Sequence, residues 1–222
     1  MAKHETSGSK GIPGPSEMRV FLAAVLIFVH GVLLVIFWIT GPWLGSIEYA
    51  TWHVVEWLLL VPAFVVISSV YGSIWKSNRV KAVRAASIMG WILAIAWTAV
   101  TSLLVLDELT YGRHFQGDRS YTLILAVVES YVLLGLFCMV QGVALLLNRA
   151  RPIADNMVYA AGFLLILAGI MFATMTMSFY YDYFFLIVFA GFFIFPTGLI
   201  IAGVNIRKSR IHHAESIPTP SG

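Results

Sequence analysis

Charged side chains are scarce in this chain. They make up 11% of its 222 residues, whereas a typical soluble domain carries about 25%. Hydrophobic residues account for 59%, and the mean hydropathy is +0.86. This composition excludes an ordinary soluble domain and indicates a membrane protein. The apolar runs are continuous and about twice the length of a barrel strand, so they predict membrane-spanning helices.

Cysteine and the motifs of soluble enzymes are also rare or missing. The single cysteine, Cys138, excludes an intrachain disulfide and lies inside an apolar run, where we expect a small core residue. The chain has no phosphate-binding glycine loop, no Gly-x-Ser-x-Gly, no His-Glu-x-x-His and no Cys-x-x-Cys. The net charge of +3 comes from short basic clusters between apolar runs. We therefore expect neither nucleic-acid binding nor an enzyme of the soluble type.

Six apolar runs are long enough to cross a bilayer as helices. They cover roughly 19–40, 51–75, 85–106, 121–147, 158–178 and 184–206. The sequence thus predicts an all-α polytopic membrane protein whose single transmembrane domain spans residues 19–206. Residues 1–18 lack apolar periodicity and predict a disordered cytoplasmic tail, and residues 207–222 predict a second cytoplasmic tail.

The basic residues predict the orientation of the six spans. Twelve of the 14 Lys and Arg residues fall on one side: in the two tails, at Arg19 where the first span begins, and in the connections after the second and fourth spans. Only Arg113 and Arg119 fall on the other side. Positive charge is retained on the cytoplasmic side of membrane proteins. We therefore expect both termini in the cytoplasm and a location in the cell membrane.

Glycines mark the last three spans. Each span carries two glycines seven residues apart, and these three pairs are called the glycine stripes: Gly135 and Gly142, Gly162 and Gly169, Gly191 and Gly198. Seven residues are two helical turns, so each pair lines one face and lets another backbone approach closely. The stripes predict close packing of spans four to six, or contact with another membrane subunit or a second copy. A weak repeat between residues 54–91 and 127–163 suggests a parallel duplication.

Three ionisable residues are predicted to meet inside the membrane. His30, Glu56 and Glu129 lie roughly 15, 6 and 12 Å below the outer ends of their helices at the α-helical rise. His53 and Asp107 are expected at the mouth of this cluster. Carboxylates and imidazoles in hydrocarbon suit a proton relay or cation site. The alternative is a set of ordinary interhelical hydrogen bonds, with Glu56 reaching to the interface.

Other residues suggest hinges or ligands. Pro62 and Pro196, the latter followed by Gly198, interrupt helical hydrogen bonds and predict kinks or hinges. Met171 and Met175 lie one turn apart, a pattern that suits Cu(I) but is more typical of core packing. A haem between His30 and His53 is not expected, because their helical positions place them about 10–14 Å apart in depth. We therefore expect no cofactor.

Three functions remain open on the sequence. The paired carboxylates, together with more acidic than basic residues on the outer side, favour a small proton- or cation-linked transporter. The glycine stripes suit a non-catalytic subunit of a larger membrane complex. The third alternative is a membrane enzyme that acts on a lipid or a quinone from the outer leaflet.

Overall fold

The computed structural model describes residues 16–40, 46–78, 81–111, 118–147, 156–174 and 183–215. Its six elements are α-helices, each with an apolar segment long enough to cross a membrane. They are α1 (Ser16–Thr40), α2 (Ser46–Asn78), α3 (Lys81–Tyr111), α4 (Asp118–Leu147), α5 (Asn156–Ala173) and α6 (Tyr183–Glu215). The predicted all-α class is therefore confirmed, with six helices long and apolar enough to span a membrane, while the orientation of the termini stays a prediction.

The helix ends follow the lengths of the apolar runs closely. Two ends, Thr40 and Leu147, coincide with the prediction. The main difference is α6, which continues through residues 207–215, a segment assigned to the cytoplasmic tail. This extension is polar, so a helix there leaves the membrane rather than crossing more of it. Residues 1–15 and 216–222 of the predicted tails lie outside the described residues.

The six helices form a closed ring. Each helix packs against its neighbours in sequence, and α6 packs against α1. We call one end of the ring the acidic end, because Glu48, Asp107 and Asp118 lie there, and the opposite one the basic end, with Lys81 and Arg84. Large apolar side chains are exposed around the outside, where hydrocarbon covers them. Examples are Ile39, Ile95 and Phe163, at 63%, 69% and 65%.

Aromatic rings fill the centre of the helix ring. Phe64 of α2 lies edge-on to Trp97 of α3 and to Phe137 of α4, with centroids 5.8 and 6.0 Å apart. Phe192 of α6 similarly contacts Tyr131 of α4 at 6.0 Å. Edge-to-face pairs of this kind contribute about 0.5–1.5 kcal/mol each beyond their buried area. The contacts of Phe64 with Phe137 and of Phe192 with Tyr131 therefore link helices that are not adjacent in the ring.

The glycine stripes of α4 and α5 face each other. A Cβ placed on Gly135 would lie 2.6 Å from the carbonyl oxygen of Gly169, and one on Gly142 would lie 2.5 Å from that of Gly162. Distances this short are incompatible with any side chain larger than hydrogen. The seven-residue spacing thus lets two antiparallel backbones touch at two successive points, and the expected close packing is present.

The stripe of α6 is also covered within the chain. A Cβ on Gly191 would lie 2.9 Å from the ring of Phe172, and one on Gly198 would lie 3.0 Å from Leu165. Both of these neighbours belong to α5. The glycine stripes are therefore packed within the chain, and binding to another subunit or a second copy stays a prediction. The same shape complementarity is used between helices of one chain.

Candidate functional site

A glutamate carboxylate links two histidines in the acidic half of the bundle. Oε1 of Glu56 lies 3.2 Å from Nε2 of His30, and Oε2 lies 3.1 Å from Nδ1 of His53. Both distances are within the range of protein hydrogen bonds. The side chain of His30 is fully buried, that of Glu56 is 10% exposed and that of His53 is 15% exposed. These three residues, here called the Glu56 cluster, thus run from near the surface into the interior.

The local sequence explains how the Glu56 cluster is assembled. His53 and Glu56 are three residues apart on α2, which places their side chains on one helix face. Glu56 also begins the buried stripe of α2 that continues with Leu60 and Phe64. His30 lies three residues after the buried Ile27, on the face of α1 that turns inward. The two buried stripes meet, so the contact follows from helical periodicity.

The hydrogen bonds determine where the protons lie. An ionised carboxylate only accepts, so each imidazole nitrogen that faces Glu56 carries a hydrogen. In the neutral imidazoles, Nδ1 of His30 and Nε2 of His53 are then acceptors. Nδ1 of His30 is buried and has no hydrogen-bond partner among the described residues. The cluster therefore presents an unused acceptor on its interior side.

Aromatic rings surround His30. Its imidazole centroid lies 4.6 Å from the ring of Phe192 and 6.0 Å from the ring of Trp52. Trp52 stacks on Phe37, with centroids 4.5 Å apart and ring planes 9° apart. Tyr131 is the next ring inward from Phe192. His30 is thus packed among aromatic rings, with Phe192 of α6 on one side and the stacked pair of Trp52 and Phe37 nearer the acidic end.

Glu129 and Asp107 are not part of this arrangement. Glu129 is exposed on the outside of α4, and Asp107 is half-buried near the end of α3. Within the described residues, neither makes a hydrogen bond to the Glu56 cluster. The expected convergence of Glu129 with Glu56 is therefore wrong. Glu129 lies only four residues inside its apolar span, which starts at Leu125. This corresponds to a depth of roughly 6 Å at the helical rise, so its flexible carboxylate can reach the interface.

The depths of the two histidines also differ from the expectation. His30 and His53 bind opposite oxygens of one carboxylate, so their side chains lie at similar depth. The predicted offset of about 10–14 Å assumed untilted helices with equal ends. A mismatch in depth therefore does not exclude a haem between the two histidines. His53, expected only at the mouth, is a direct partner of Glu56.

Both prolines lie within continuous helices. Pro62 is exposed on α2, whereas Pro196 is buried on α6, and Gly198 packs against α5. Pro196 leaves the carbonyl of Phe192 without a helical donor. That carbonyl lies beside Gly31 of α1, where an added Cβ would be 3.4 Å from the oxygen and 2.8 Å from Cβ of Phe192. Whether either proline is a hinge stays a prediction.

The suggested copper ligands are not placed together. Met171 is half-buried on α5, and Met175 lies outside the described residues. Across the described helices, no three or more His, Cys, Asp or Glu side chains are grouped so that they could hold a metal ion. The weak copper prediction therefore gains no geometric support.

The sequence reasoning missed a polar pair in the basic half. Gln141 of α4 is fully buried, and neither atom of its side-chain amide has a hydrogen-bond partner among the described residues. Tyr71 of α2 is also buried, and its hydroxyl donates to the backbone carbonyl of Gln141 at 3.5 Å. Gln141 lies three residues after the buried Cys138 on the inward stripe of α4. The interval of three residues from the apolar Cys138 could therefore have predicted that Gln141 faces the interior.

The two similar segments, 54–91 and 127–163, differ in structure at the glutamate that they share. Glu56 is buried and paired, whereas Glu129, which occupies the matching place in residues 127–163, is exposed. A common origin of the two segments stays a prediction.

Comparison with known proteins gives no relative. No protein-family model matches the chain, and no curated protein or solved structure matches it either.

Proposed function

We propose that the protein is a small proton-linked carrier and that the Glu56 cluster is its proton site. The observation that carries this proposal is the carboxylate of Glu56 bound to two imidazoles, one partly exposed and one fully buried. Ionisable groups inside a membrane are costly and are typically functional. A purely structural role needs one hydrogen bond between α1 and α2, and it does not call for three titratable groups in series.

The cluster offers a proton two points of entry. A proton from the acidic end binds Nε2 of His53, and a proton from the interior binds Nδ1 of His30. In either case the new imidazolium lies against the carboxylate of Glu56, within an existing hydrogen bond of 3.1 or 3.2 Å. Charge-assisted bonds of this kind are the stronger ones in proteins. The site can therefore hold one proton that is reached from either side.

Protonation also changes the charge of the site. With Glu56 ionised and both imidazoles neutral, the cluster carries one negative charge in a low-dielectric interior. One added proton makes it neutral. An uncompensated buried charge is destabilising, so the two forms favour different arrangements of the helices around them. This difference is what allows a proton to be coupled to the passage of a second solute.

The test uses purified protein in proteoliposomes that contain a pH-sensitive dye. The vesicles are challenged with separate pools of inorganic cations, organic cations, carboxylates, sugars and amino acids. We expect at least one pool to move protons through the wild-type protein. Glu56→Gln keeps the shape of the side chain but removes the charge, so we expect it to move none. Glu129→Gln is the matched control, because Glu129 is exposed and outside the cluster.

Two results would contradict the proposal. One is a wild-type protein that moves protons with none of the pools, and the other is a Glu56→Gln variant that moves them as well as the wild type does. Circular dichroism and gel filtration of both variants show whether each one has folded. The lipid or quinone enzyme and the subunit of a larger complex both stay alternatives, although the glycine stripes that suggested a subunit are packed inside the chain.

A further inference from the structure

We infer that the second solute is a small cation that bears N–H groups, such as an ammonium, amine or guanidinium ion, and that it exchanges with a proton at Nδ1 of His30. This inference rests on the proposed function, because it assigns the solute that the same site carries. Three independent properties of the site point to this class: the unused acceptor, the net charge and the aromatic surroundings.

The unused acceptor selects for a hydrogen-bond donor. Nε2–H of His30 is held by Glu56 at 3.2 Å, which leaves Nδ1 of the neutral ring as an acceptor without a partner among the described residues. An unpaired buried polar atom is destabilising, and lipid cannot supply the missing donor. A ligand that donates an N–H to Nδ1 removes this penalty. An anion or any other pure acceptor does not.

The net charge selects for a cation. The ionised Glu56 cluster is negative, and the rings of Trp52 and Phe192 lie beside His30. Tyr131 of α4 is a further titratable side chain close to Glu56, but a phenol supplies no positive charge. Neither Lys nor Arg occurs among the buried polar residues of the described helices, which are His30, Glu56, Ser68, Thr101, Glu108, Ser130 and Gln141. Only a proton or a bound cation is then available to neutralise the site.

The surroundings favour an organic cation over a metal ion. Rings of Phe192 and Trp52 lie 4.6 and 6.0 Å from the imidazole of His30, and aromatic faces attract ammonium and guanidinium groups. Hard metal cations prefer shells of six or more oxygen atoms. The two carboxylate oxygens of Glu56 are both engaged with histidines. The site therefore offers one nitrogen and π-faces, a poor shell for a hard metal.

Proton and cation exclude each other at this atom. When Nδ1 of His30 is protonated, it becomes a donor and can no longer accept from a ligand. The protonated site and the cation-loaded site both have zero net charge, so each ion replaces the other without leaving a buried charge. Exchange of one cation for one proton follows directly from the chemistry of the ring.

Access to Nδ1 requires a movement on the side of α6. The atom is buried, and the ring of Phe192 lies next to it. The backbone of α6 lacks a helical hydrogen bond at the carbonyl of Phe192 because of Pro196. Because that helical bond is already absent, we place the movement that admits the cation at this segment of α6.

The test measures binding of guanidinium and tetramethylammonium chlorides to purified protein by calorimetry at several pH values. Both ions keep their charge at every pH, but only guanidinium has N–H groups. We expect guanidinium to bind and tetramethylammonium not to bind. Because a proton competes for one site, the apparent Kd for guanidinium should rise by up to about tenfold for each unit of pH decrease.

Two variants separate the contribution of the His30 imidazole from that of the Phe192 ring. His30→Gln keeps an acceptor but removes one of the two protonation points of the cluster, so the pH dependence of guanidinium binding should weaken, and the His30→Gln/His53→Gln double variant should lose it near neutral pH. Phe192→Leu keeps an apolar side chain but removes the π-face, and we expect about 2- to 30-fold weaker binding with the pH dependence retained. Absent guanidinium binding, equal binding of both ions, or pH-independent binding to the wild type would overturn the inference. If another pool moves protons through the vesicles, the proposed function survives that result.

Discussion

Gly169→Ala probes the closest backbone contact between α4 and α5. A Cβ at this position would lie 2.5 Å from the carbonyl oxygen of Gly135, 2.6 Å from Cγ of Met139 and 3.0 Å from the backbone nitrogen of Met139. Two of these three atoms belong to the backbone of α4, so a change of rotamer cannot move them. The substitution therefore has to push the helices apart or be absorbed as strain.

Two opposing effects determine how much Gly169→Ala changes the free energy of unfolding. Overpacking a close-packed interior typically destabilises by about 1–3 kcal/mol. Alanine is the better helix former by about 1 kcal/mol, which offsets part of this. Gly203→Ala is the matched control, since its Cβ would meet only the ring of Phe21, at 3.1 Å or more. The helix term is common to both variants, so we expect Gly169→Ala to be less stable than Gly203→Ala by about 1–3 kcal/mol.

The assay is reversible unfolding in mixed micelles of increasing SDS fraction, followed by tryptophan fluorescence and circular dichroism. The quantity compared is the free energy of unfolding of the two alanine variants under identical conditions. Equal stabilities, or a more stable Gly169→Ala, would refute the reasoning. Either result would mean that α4 and α5 do not touch through their glycines.

Two further predictions concern the buried polar atoms of α4. Gln141→Met replaces a buried amide, which has no partner among the described residues, by an apolar group of similar size. We therefore expect the free energy of unfolding in the same SDS titration to increase by about 1–3 kcal/mol. A decrease would indicate a bound molecule that forms hydrogen bonds with the amide. Cys138 is fully buried, so N-ethylmaleimide should label it only after unfolding, as read by mass spectrometry; fast labelling of the folded protein would show that the interior opens to water.

The helices were predictable because lipid imposes a simple rule on the backbone. Any apolar run of sufficient length must be a helix, so the ends at Thr40 and Leu147 follow from the run lengths alone. The extension of α6 to Glu215 was missed because hydropathy marks where a helix leaves the bilayer and not where it ends. Beyond the membrane, the length of a helix depends on local propensity and capping.

The Glu56 cluster was predictable only in part. Helical rise gives an approximate depth for a residue, which placed His30 and Glu56 in the same half of the membrane but wrongly separated His30 from His53. It does not give the direction of a side chain around the helix axis. In a soluble protein the apolar stripe supplies that direction, but here the lipid-facing side is apolar as well. Glu129 was therefore placed inside, although its neighbours Val128 and Ser130 are the buried residues.

Spacing was informative where hydropathy was not. The interval of seven between glycines predicted which face of α4 packs closely, and Gly135 and Gly142 do lie against α5. What spacing could not say is whether the partner helix belongs to the same chain. A contact between two glycine backbones has the same local geometry in both cases.

The closed order of the helices has a consequence for biosynthesis. The inward face of α1 is completed by α6, whose Phe192 covers His30 and Gly31. While the ribosome is still producing the middle of the chain, this face has only α2 beside it. An uncovered imidazole is poorly tolerated by acyl chains. The nascent chain must then hold its first two helices in a sheltered place, at the insertion machinery or against water, until the last helix arrives.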